Sequence, residues 1–141
     1  MELVHATCID YAGRGLLIRG PSGAGKSDLA LRLIHAGARL VGDDYVWVGA
    51  EGGRLYAIAP DAIRGRMEVR GVGIVTVPAR RATALHCVID LVAADEVERM
   101  PEQITVRLDG IDLPAWRIAP FEASAAAKVA AIVTACKNAP L

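Results

Sequence analysis

The sequence carries no net charge, since its 141 residues include 16 Lys and Arg against 16 Asp and Glu. Without a net field the chain has no long-range attraction to polyanions, so neither nucleic acid nor a membrane surface is an expected partner. Aromatic residues are scarce as well, at 4% of a chain that is 53% hydrophobic. This balance predicts an aliphatic core within a single domain that spans residues 1–141.

Cysteine and long apolar runs are similarly rare. Cys8, Cys87 and Cys136 are far apart, odd in number and never arranged as C-x-x-C, which favours reduced, buried thiols. No apolar stretch approaches the length of a membrane span, about 18 residues. Residues 1–5 also lack the basic start of a targeting segment. We therefore expect a soluble protein of the cytoplasm.

A glycine-rich segment, GPSGAGKS at residues 20–27, matches the phosphate-binding pattern G-x-x-x-x-G-K-[ST] at every fixed position. An apolar run of strand length precedes it, and the residues that follow place Leu29, Leu33 and Ala36 at helical spacing. In this context the glycines let backbone N–H groups point inward at the positive end of the helix, which makes an anion site. The residues predicted to bind nucleotide phosphates are Gly20, Pro21, Ser22, Gly23, Ala24, Gly25, Lys26 and Ser27.

The segments on either side of this loop carry further polar candidates. Residues 3–9 and the turn at 10–15 predict a hairpin into the loop strand, with His5 near the mouth of the loop. After the helix, a short strand ends at Asp43 and Asp44, where α/β sheets place their ligand sites. Adjacent carboxylates are costly to keep ionised without a cation, and magnesium is the expected one. From position alone, a structural histidine and a solvated Asp-Asp turn remain alternatives.

The rest of the chain predicts a second hairpin, from residues 45–48 and 54–59, and then a glycine-rich shaped loop at 65–78 that enters a strand and carries Glu68. Further predicted elements are a buried strand at 85–92, a strand at 104–108, an edge strand at 114–120 bounded by prolines, and a closing helix at 122–137.

Four segments together resemble the catalytic domain of bacterial HPr kinase/phosphorylase. They are HATCID at residues 5–10, GPSGAGKS at 20–27, LVGDD at 40–44 and MEVRGVGI at 67–74. Their order and spacing agree as well as their residues, and the fourth segment is the most specific to the family. The resemblance weakens toward the C-terminal third of the chain.

The resemblance implies an α/β fold, namely a P-loop nucleotide-binding domain of the phosphoenolpyruvate-carboxykinase-like type, with a mixed sheet and hairpins flanking the P-loop helix. It implies an enzyme that uses ATP and Mg²⁺ to phosphorylate a serine of HPr, the phosphocarrier protein of the phosphotransferase system. Family members assemble as hexamers, so a homo-oligomer is expected.

The resemblance also assigns roles to single residues. Asp44 would take the proton of the serine hydroxyl, and Arg99 occupies the place of a catalytic arginine through a local match only. The implied catalytic residues are His5, Lys26, Asp44 and Arg99, and the implied metal contacts are Ser27, Asp43 and Glu68.

Two departures from the family pattern lead to expectations of their own. The chain begins almost at His5, so we expect the separate N-terminal domain of longer members to be absent. The basic Pro/Gly/Arg loop that is associated with dephosphorylation of phospho-HPr has no match in residues 118–124. We therefore expect the kinase direction to be retained and the phosphorylase direction to be weak or lost.

Two other functions remain open at this stage. The loop also resembles that of guanylate kinases, which indicates a small-molecule kinase as an alternative, although the chain leaves little room for a nucleotide-monophosphate lid. A nucleotide-binding regulator without turnover is the other. A basic cluster around Glu68 could dock an acidic protein or form a solvated rim: Arg64, Arg66, Arg70, Arg80 and Arg81.

Overall fold

The structure is a computed structural model that describes residues 1–138. Its strands are β1 (Glu2–His5), β2 (Thr7–Tyr11), β3 (Arg14–Arg19), β4 (Arg39–Gly42), β5 (Tyr45–Glu51), β6 (Arg54–Ile58), β7 (Arg66–Val69), β8 (Gly73–Thr76), β9 (Ala82–Leu91), β10 (Ile104–Leu108) and β11 (Ile111–Ile118). Its helices are α1 (Lys26–His35) and α2 (Ala125–Asn138), with single 3₁₀ turns at Asp61–Ile63 and Ala94–Glu96.

Within residues 1–138, nine of the strands form one mixed sheet around β9. Along its main path the order is β1, β5, β6, β9, β3, β2, β4. β9 pairs in parallel with β3 on one side and with β11 on the other, and β10 continues the sheet beyond β11. The remaining two strands, β7 and β8, form a separate antiparallel hairpin. The mixed α/β fold expected from the sequence is confirmed.

Both faces of the sheet centre are covered, so β2 and β3 are buried along almost their whole length. Ile9, Leu16 and Ile18 face a cluster that includes the buried sides of α1 and α2. Cys8 and Leu17 face a second cluster that β5, β6 and β11 complete. The alternation of side chains along each strand thus supplies two cores from one segment.

The direction of the strands brings the polar candidates to one edge. β2 is antiparallel to both β3 and β4, so β3 and β4 run the same way and end at the same edge. The phosphate loop follows β3 and the Asp43–Asp44 pair follows β4. The start of β2, at Thr7, lies at this edge too.

The predicted hairpin into the phosphate loop is confirmed for β2 and β3, but the prediction of one segment over residues 3–9 was wrong. The chain bends at Ala6, where its N–H donates to the carbonyl of Asp44 at 2.9 Å. Before the bend β1 pairs with β5, and after it β2 pairs with β3 and β4. His5 therefore lies opposite Tyr45 rather than on the hairpin.

Residues 65–78 were predicted as a loop entering a strand, and the structure corrects this to the β7–β8 hairpin. The predicted edge strand at 114–120 is also wrong, because β11 lies between β9 and β10. A proline is accommodated there because pairing with β9 begins only at Ala115, after Pro114. The closing helix is confirmed, although it begins at Ala125 rather than at residue 122.

Two expectations from composition can be compared with the structure. Cys8, Cys87 and Cys136 are all buried free thiols, as expected. Neither helix within the described residues is long and apolar enough to cross a membrane.

Candidate active site

The phosphate loop connects β3 to α1 and encloses the Lys26 side chain, which is only 5% exposed. Its ammonium donates hydrogen bonds to the carbonyls of Gly20 at 2.7 Å and Pro21 at 3.1 Å. Lys26 and Ser27 are the first residues of α1. They lie at the positive end of the helix, where free N–H groups favour anions.

Glycine is required at two points of the loop. Gly23 and Gly25 have φ angles of 83° and 102°, in the left-handed region that side chains rarely adopt. A Cβ at Gly25 would also lie 2.9 Å from the ring of Phe121. Gly25, a fixed position of the pattern, and Gly23, a variable one, thus allow the loop its tight curl.

Asp43 is buried beneath the loop and joins it to the start of β2. One carboxylate oxygen, Oδ1, accepts hydrogen bonds from the hydroxyl of Thr7 at 3.0 Å and from the hydroxyl of Ser27 at 2.9 Å. The three side chains come from β2, from α1 and from the end of β4, so the contact fixes the position of the Ser27 hydroxyl relative to the sheet.

Burial raises the pKa of the Asp43 carboxyl above its ordinary value. The hydrogen bonds from Ser27 and Thr7 act in the opposite direction, and the neighbouring charge of Asp44 adds to the increase. A carboxylate that is costly to ionise in the folded protein gains most from a nearby cation.

Asp44 differs from its neighbour because it is exposed and lies in a strained turn. Its φ is 69°, and the N–H of Tyr45 donates to the carbonyl of Asp43 at 2.9 Å across it. This three-residue turn with a positive central φ is a γ-turn, a rare conformation, and positive φ at a non-glycine residue costs about 1 to 3 kcal/mol. The turn directs the Asp44 carboxylate into the cleft beside the loop.

That cleft has a volume of about 660 Å³, within the range of about 300 to 1,000 Å³ that small-molecule sites occupy. Its polar lining comprises Ser22, Lys26, Ser27, Asp28, Asp44, Glu68 and Arg70. Glu68 belongs to β7, so the β7–β8 hairpin forms a second wall of the cleft beside the phosphate loop. The structure therefore brings Lys26, Ser27, Asp44 and Glu68 into one cavity.

The lining of this cleft does not include every predicted site residue: Asp43 lies buried beneath the loop, and Gly20, Pro21 and Ala24 belong to the loop itself. His5 and Arg99 lie outside both the lining and the loop. His5 is exposed and adjoins Asp44 through the backbone contact at Ala6, and its ring lies 5.2 Å from the ring of Tyr45, centre to centre. Arg99 is exposed in the connection between β9 and β10. The structure thus places His5 near Asp44 but outside the cleft lining, and it does not bring Arg99 to the cleft.

The basic cluster around Glu68 divides in the structure. Arg64 pairs with Asp61, and Arg80 pairs with the buried Asp10 at 3.1 Å, so these two guanidinium groups have structural partners. Arg70 lines the cleft. Of the five arginines, it is the one whose position suits a ligand.

Three residues at the site were not found from the sequence. Thr7 gave no signal, because its role depends on Asp43 far along the chain. Arg19 forms a two-point ion pair with Asp90, at 2.8 and 3.1 Å, that joins the ends of β3 and β9 below the loop. Asp90, an acid within the apolar strand predicted at residues 85–92, is the sequence feature that could have indicated this pair. Phe121 lines the cleft from the turn before α2.

The donor set at this edge fits a magnesium ion. Ser27, Asp43, Asp44 and Glu68 offer oxygen atoms, the ligands that Mg²⁺ prefers. Within residues 1–138, no three His, Cys, Asp or Glu side chains gather into a protein cage for a metal. This arrangement suits Mg²⁺, because the ion keeps several waters and is commonly held by one or two carboxylates together with substrate phosphates.

Comparisons with known proteins show which family the chain resembles over its length. The family model described as HPr Serine kinase C-terminal domain matches residues 1–138. The HPr kinase/phosphorylase of Clostridium tetani is 46% identical over 76 residues, which are 54% of this chain and 25% of that protein. The corresponding protein of Brevibacillus brevis is 45% identical over 75 residues, 52% of this chain and 24% of that protein. These matches thus span about a quarter of each relative's length.

A solved structure matches along almost the whole chain. The structure of the Hpr(Ser) kinase/phosphatase from Coxiella burnetii superposes with a TM-score of 0.87 and 25% sequence identity. The superposition covers 97% of both chains.

Proposed function

The chain belongs to the HPr serine kinase C-terminal domain family, and we propose that it transfers the γ-phosphoryl group of ATP to a serine hydroxyl of an HPr-type phosphocarrier protein. One observation carries the proposal: the Asp44 carboxylate lines the same cleft as Lys26 and Ser27 of the phosphate loop. Phosphoryl transfer needs a base beside the nucleophile and positive charge beside the phosphates, and this cleft offers both.

In the proposed reaction the loop N–H groups and Lys26 hold the phosphates and stabilise the charge that develops on the transferred group. Asp44 accepts the proton of the serine hydroxyl while the serine oxygen bonds to the γ-phosphorus of ATP. ADP leaves with the electrons of the broken P–O bond. Magnesium, when bound, neutralises phosphate charge. Ser27, Asp43 and Glu68 are the residues that would hold it.

His5 and Arg99, which lie outside the cleft lining, have more limited roles in this proposal. His5 is exposed and close to Asp44 along the backbone, so its imidazole is suited to contact the substrate serine segment. Arg99 is proposed as a catalytic arginine on the basis of the local sequence match alone, and it would have to approach the cleft from the β9–β10 connection.

The decisive experiment is intact-mass analysis of purified HPr after incubation with this protein, ATP and Mg²⁺. We expect a gain of one phosphoryl group on a serine. Replacing Asp44 by Asn should slow the transfer about 10²- to 10⁴-fold, the usual contribution of a general base, while ATP binding persists. Asp95→Asn, which removes an exposed acid outside the cleft, is the matched control.

The outcome separates the alternatives. ATP binding without transfer to HPr would favour the nucleotide-binding regulator, and turnover of nucleoside monophosphates would favour the small-molecule kinase. The guanylate-kinase likeness is confined to the phosphate loop, whereas the family match extends along the chain.

The phosphorylase direction is proposed to be weak, because the stretch before α2 lacks the basic loop that the family resemblance associates with it. Efficient phosphate-dependent release of pyrophosphate from phosphoserine-HPr would contradict this.

We propose further that residues 1–141 act as one catalytic domain of a cytoplasmic homo-oligomer. An exposed cross-strand pair, Leu3 of β1 and Trp47 of β5, offers an apolar face for self-association. Light scattering of the purified protein tests this, since a monomer at micromolar concentration would contradict it.

A further inference from the structure

Phe121 is the only phenylalanine in the chain, and 73% of its surface is exposed. It lies in the turn between β11 and α2 and lines the cleft together with the phosphate loop. Among the described residues that line the cleft, it is the one aromatic side chain. We propose that the Phe121 ring is the platform on which the purine base of the nucleotide stacks, an inference that rests on the proposed nucleotide-dependent function.

The backbone around Phe121 is held in place on both sides. Before it, Ala119 and Pro120 are buried, and the guanidinium of Arg32 on α1 donates to the Pro120 carbonyl. After it, Glu122 forms an ion pair with Lys128 of α2 at 2.8 Å. The turn is thus attached to both helices, so the backbone that carries the ring is held beside the cleft. Such preorganisation reduces the entropy that ligand binding would otherwise cost.

The ring also lies at the right place relative to the phosphates. An added Cβ at Gly25 would be 2.9 Å from Cζ of Phe121, so the ring edge rests on the last residue of the loop before Lys26. Leu31 and Val69 line the cleft as well, which gives it an apolar portion beside its polar one. A nucleotide is divided in the same way, with charged phosphates at one end and a flat apolar base at the other.

A structural role does not account for this exposure. Large apolar side chains are normally stabilised by burial, and Phe121 forgoes most of that gain. Stacking on an aromatic ring is tolerant of base identity, because every base has a π-face. Phe121 should therefore support ATP and GTP alike.

Calorimetric titration of the full chain in Mg²⁺ with ATP, GTP and inorganic tripolyphosphate tests this, because tripolyphosphate has the phosphates without the base. In Phe121→Ala we expect ATP and GTP to bind about 5- to 100-fold more weakly, with tripolyphosphate within about twofold of the unaltered protein. Phe121→Trp should retain nucleotide affinity. Tyr56→Ala, which removes an exposed aromatic ring on β6, serves as the matched control and should change none of the three affinities.

Each contrary result has a distinct meaning. Equal weakening of tripolyphosphate and ATP in Phe121→Ala would overturn the inference, because the ring would then be supporting the loop rather than a base. Unchanged ATP affinity in that variant would also overturn it while leaving the proposed kinase function intact. An unaltered protein that binds neither ATP nor tripolyphosphate would contradict both the function and the inference.

Discussion

The cleft has two walls that differ in how they are attached to the fold. The loop wall consists of the phosphate loop, the start of α1 and the Asp43–Asp44 turn, and it is continuous with strands of the nine-stranded sheet. The hairpin wall consists of β7 and β8, which within residues 1–138 pair only with each other. In the first wall, Asp43 links Thr7 and Ser27 through buried hydrogen bonds. In the second, Met67 is 1% exposed, while Val72 and Ile74 are 72% and 75% exposed.

This difference suits two tasks of the proposed kinase. Charge stabilisation at the phosphates is effective only where the groups are preorganised, and the loop wall has the buried contacts for that. The proposed protein substrate must also reach the phosphates past the hairpin. Segments with few buried apolar contacts open at the lowest cost, and the tip of the hairpin is such a segment.

The largest effect is expected where the hairpin is attached to the core. Met67→Ala removes a buried side chain that packs in the same cluster as α1, and should lower the free energy of unfolding by about 2 to 5 kcal/mol. Ile74→Ala removes an exposed side chain from the same hairpin and should change it by less than about 0.5 kcal/mol. Urea denaturation measures both.

Hydrogen exchange sharpens this prediction, because the amides of β7 and β8 in Met67→Ala should exchange faster relative to those of α1. If both variants were equally destabilised, or if exchange rose equally in both walls, the hairpin would not depend on Met67 and the contrast between the walls would fail.

A smaller effect is expected from the carboxylate that the hairpin carries. Glu68→Gln should raise the Mg²⁺ concentration needed for half-maximal phosphorylation of HPr by about 10- to 100-fold, the range found for groups that support a metal. Glu102→Gln removes the same charge at an exposed position outside the cleft lining and serves as the control. An unchanged Mg²⁺ requirement in Glu68→Gln would assign metal binding to the loop wall alone.

The two walls also differ in how far the sequence could predict them. The loop, α1 and the two acids have local signals: a fixed motif, helical spacing and a strand that ends in Asp-Asp. β7 and β8 are only four residues each, and from the sequence Gly71 and Gly73 indicated a loop. In the structure these glycines adopt φ angles of 84° and 114° at the turn of the hairpin. Short strands with glycines between them give too little alternation to indicate a hairpin.

Contacts between distant parts of the chain were beyond sequence reasoning for a different reason. Thr7 and Asp43 are 36 positions apart, and they meet because the chain bends at Ala6 and at Asp44 together. Phe121 reaches Gly25 only because β11 is inserted beside β9, and Pro114 had indicated an edge strand instead. Such placements depend on strand order, which no local pattern encodes.

The smallest expected effect is on the pH dependence of stability and concerns Asp43, the buried acid of the loop wall. Burial raises its pKa in the folded protein above the ordinary value of 3.8, so the native state holds this proton more tightly than the unfolded chain does. As pH rises from 3.8 through the raised pKa, this contribution to stability is therefore lost, and above that pKa the loss is complete. Asp43→Asn cannot ionise, so without Mg²⁺ the stability of the unaltered protein relative to this variant should fall as pH rises across that window. Denaturation midpoints measured across pH test this. If the two pH profiles were parallel, or if the unaltered protein became more stable relative to Asp43→Asn as pH rises, ionising Asp43 would not destabilise the folded protein. The loop wall would then have no buried carboxylate that a cation could stabilise.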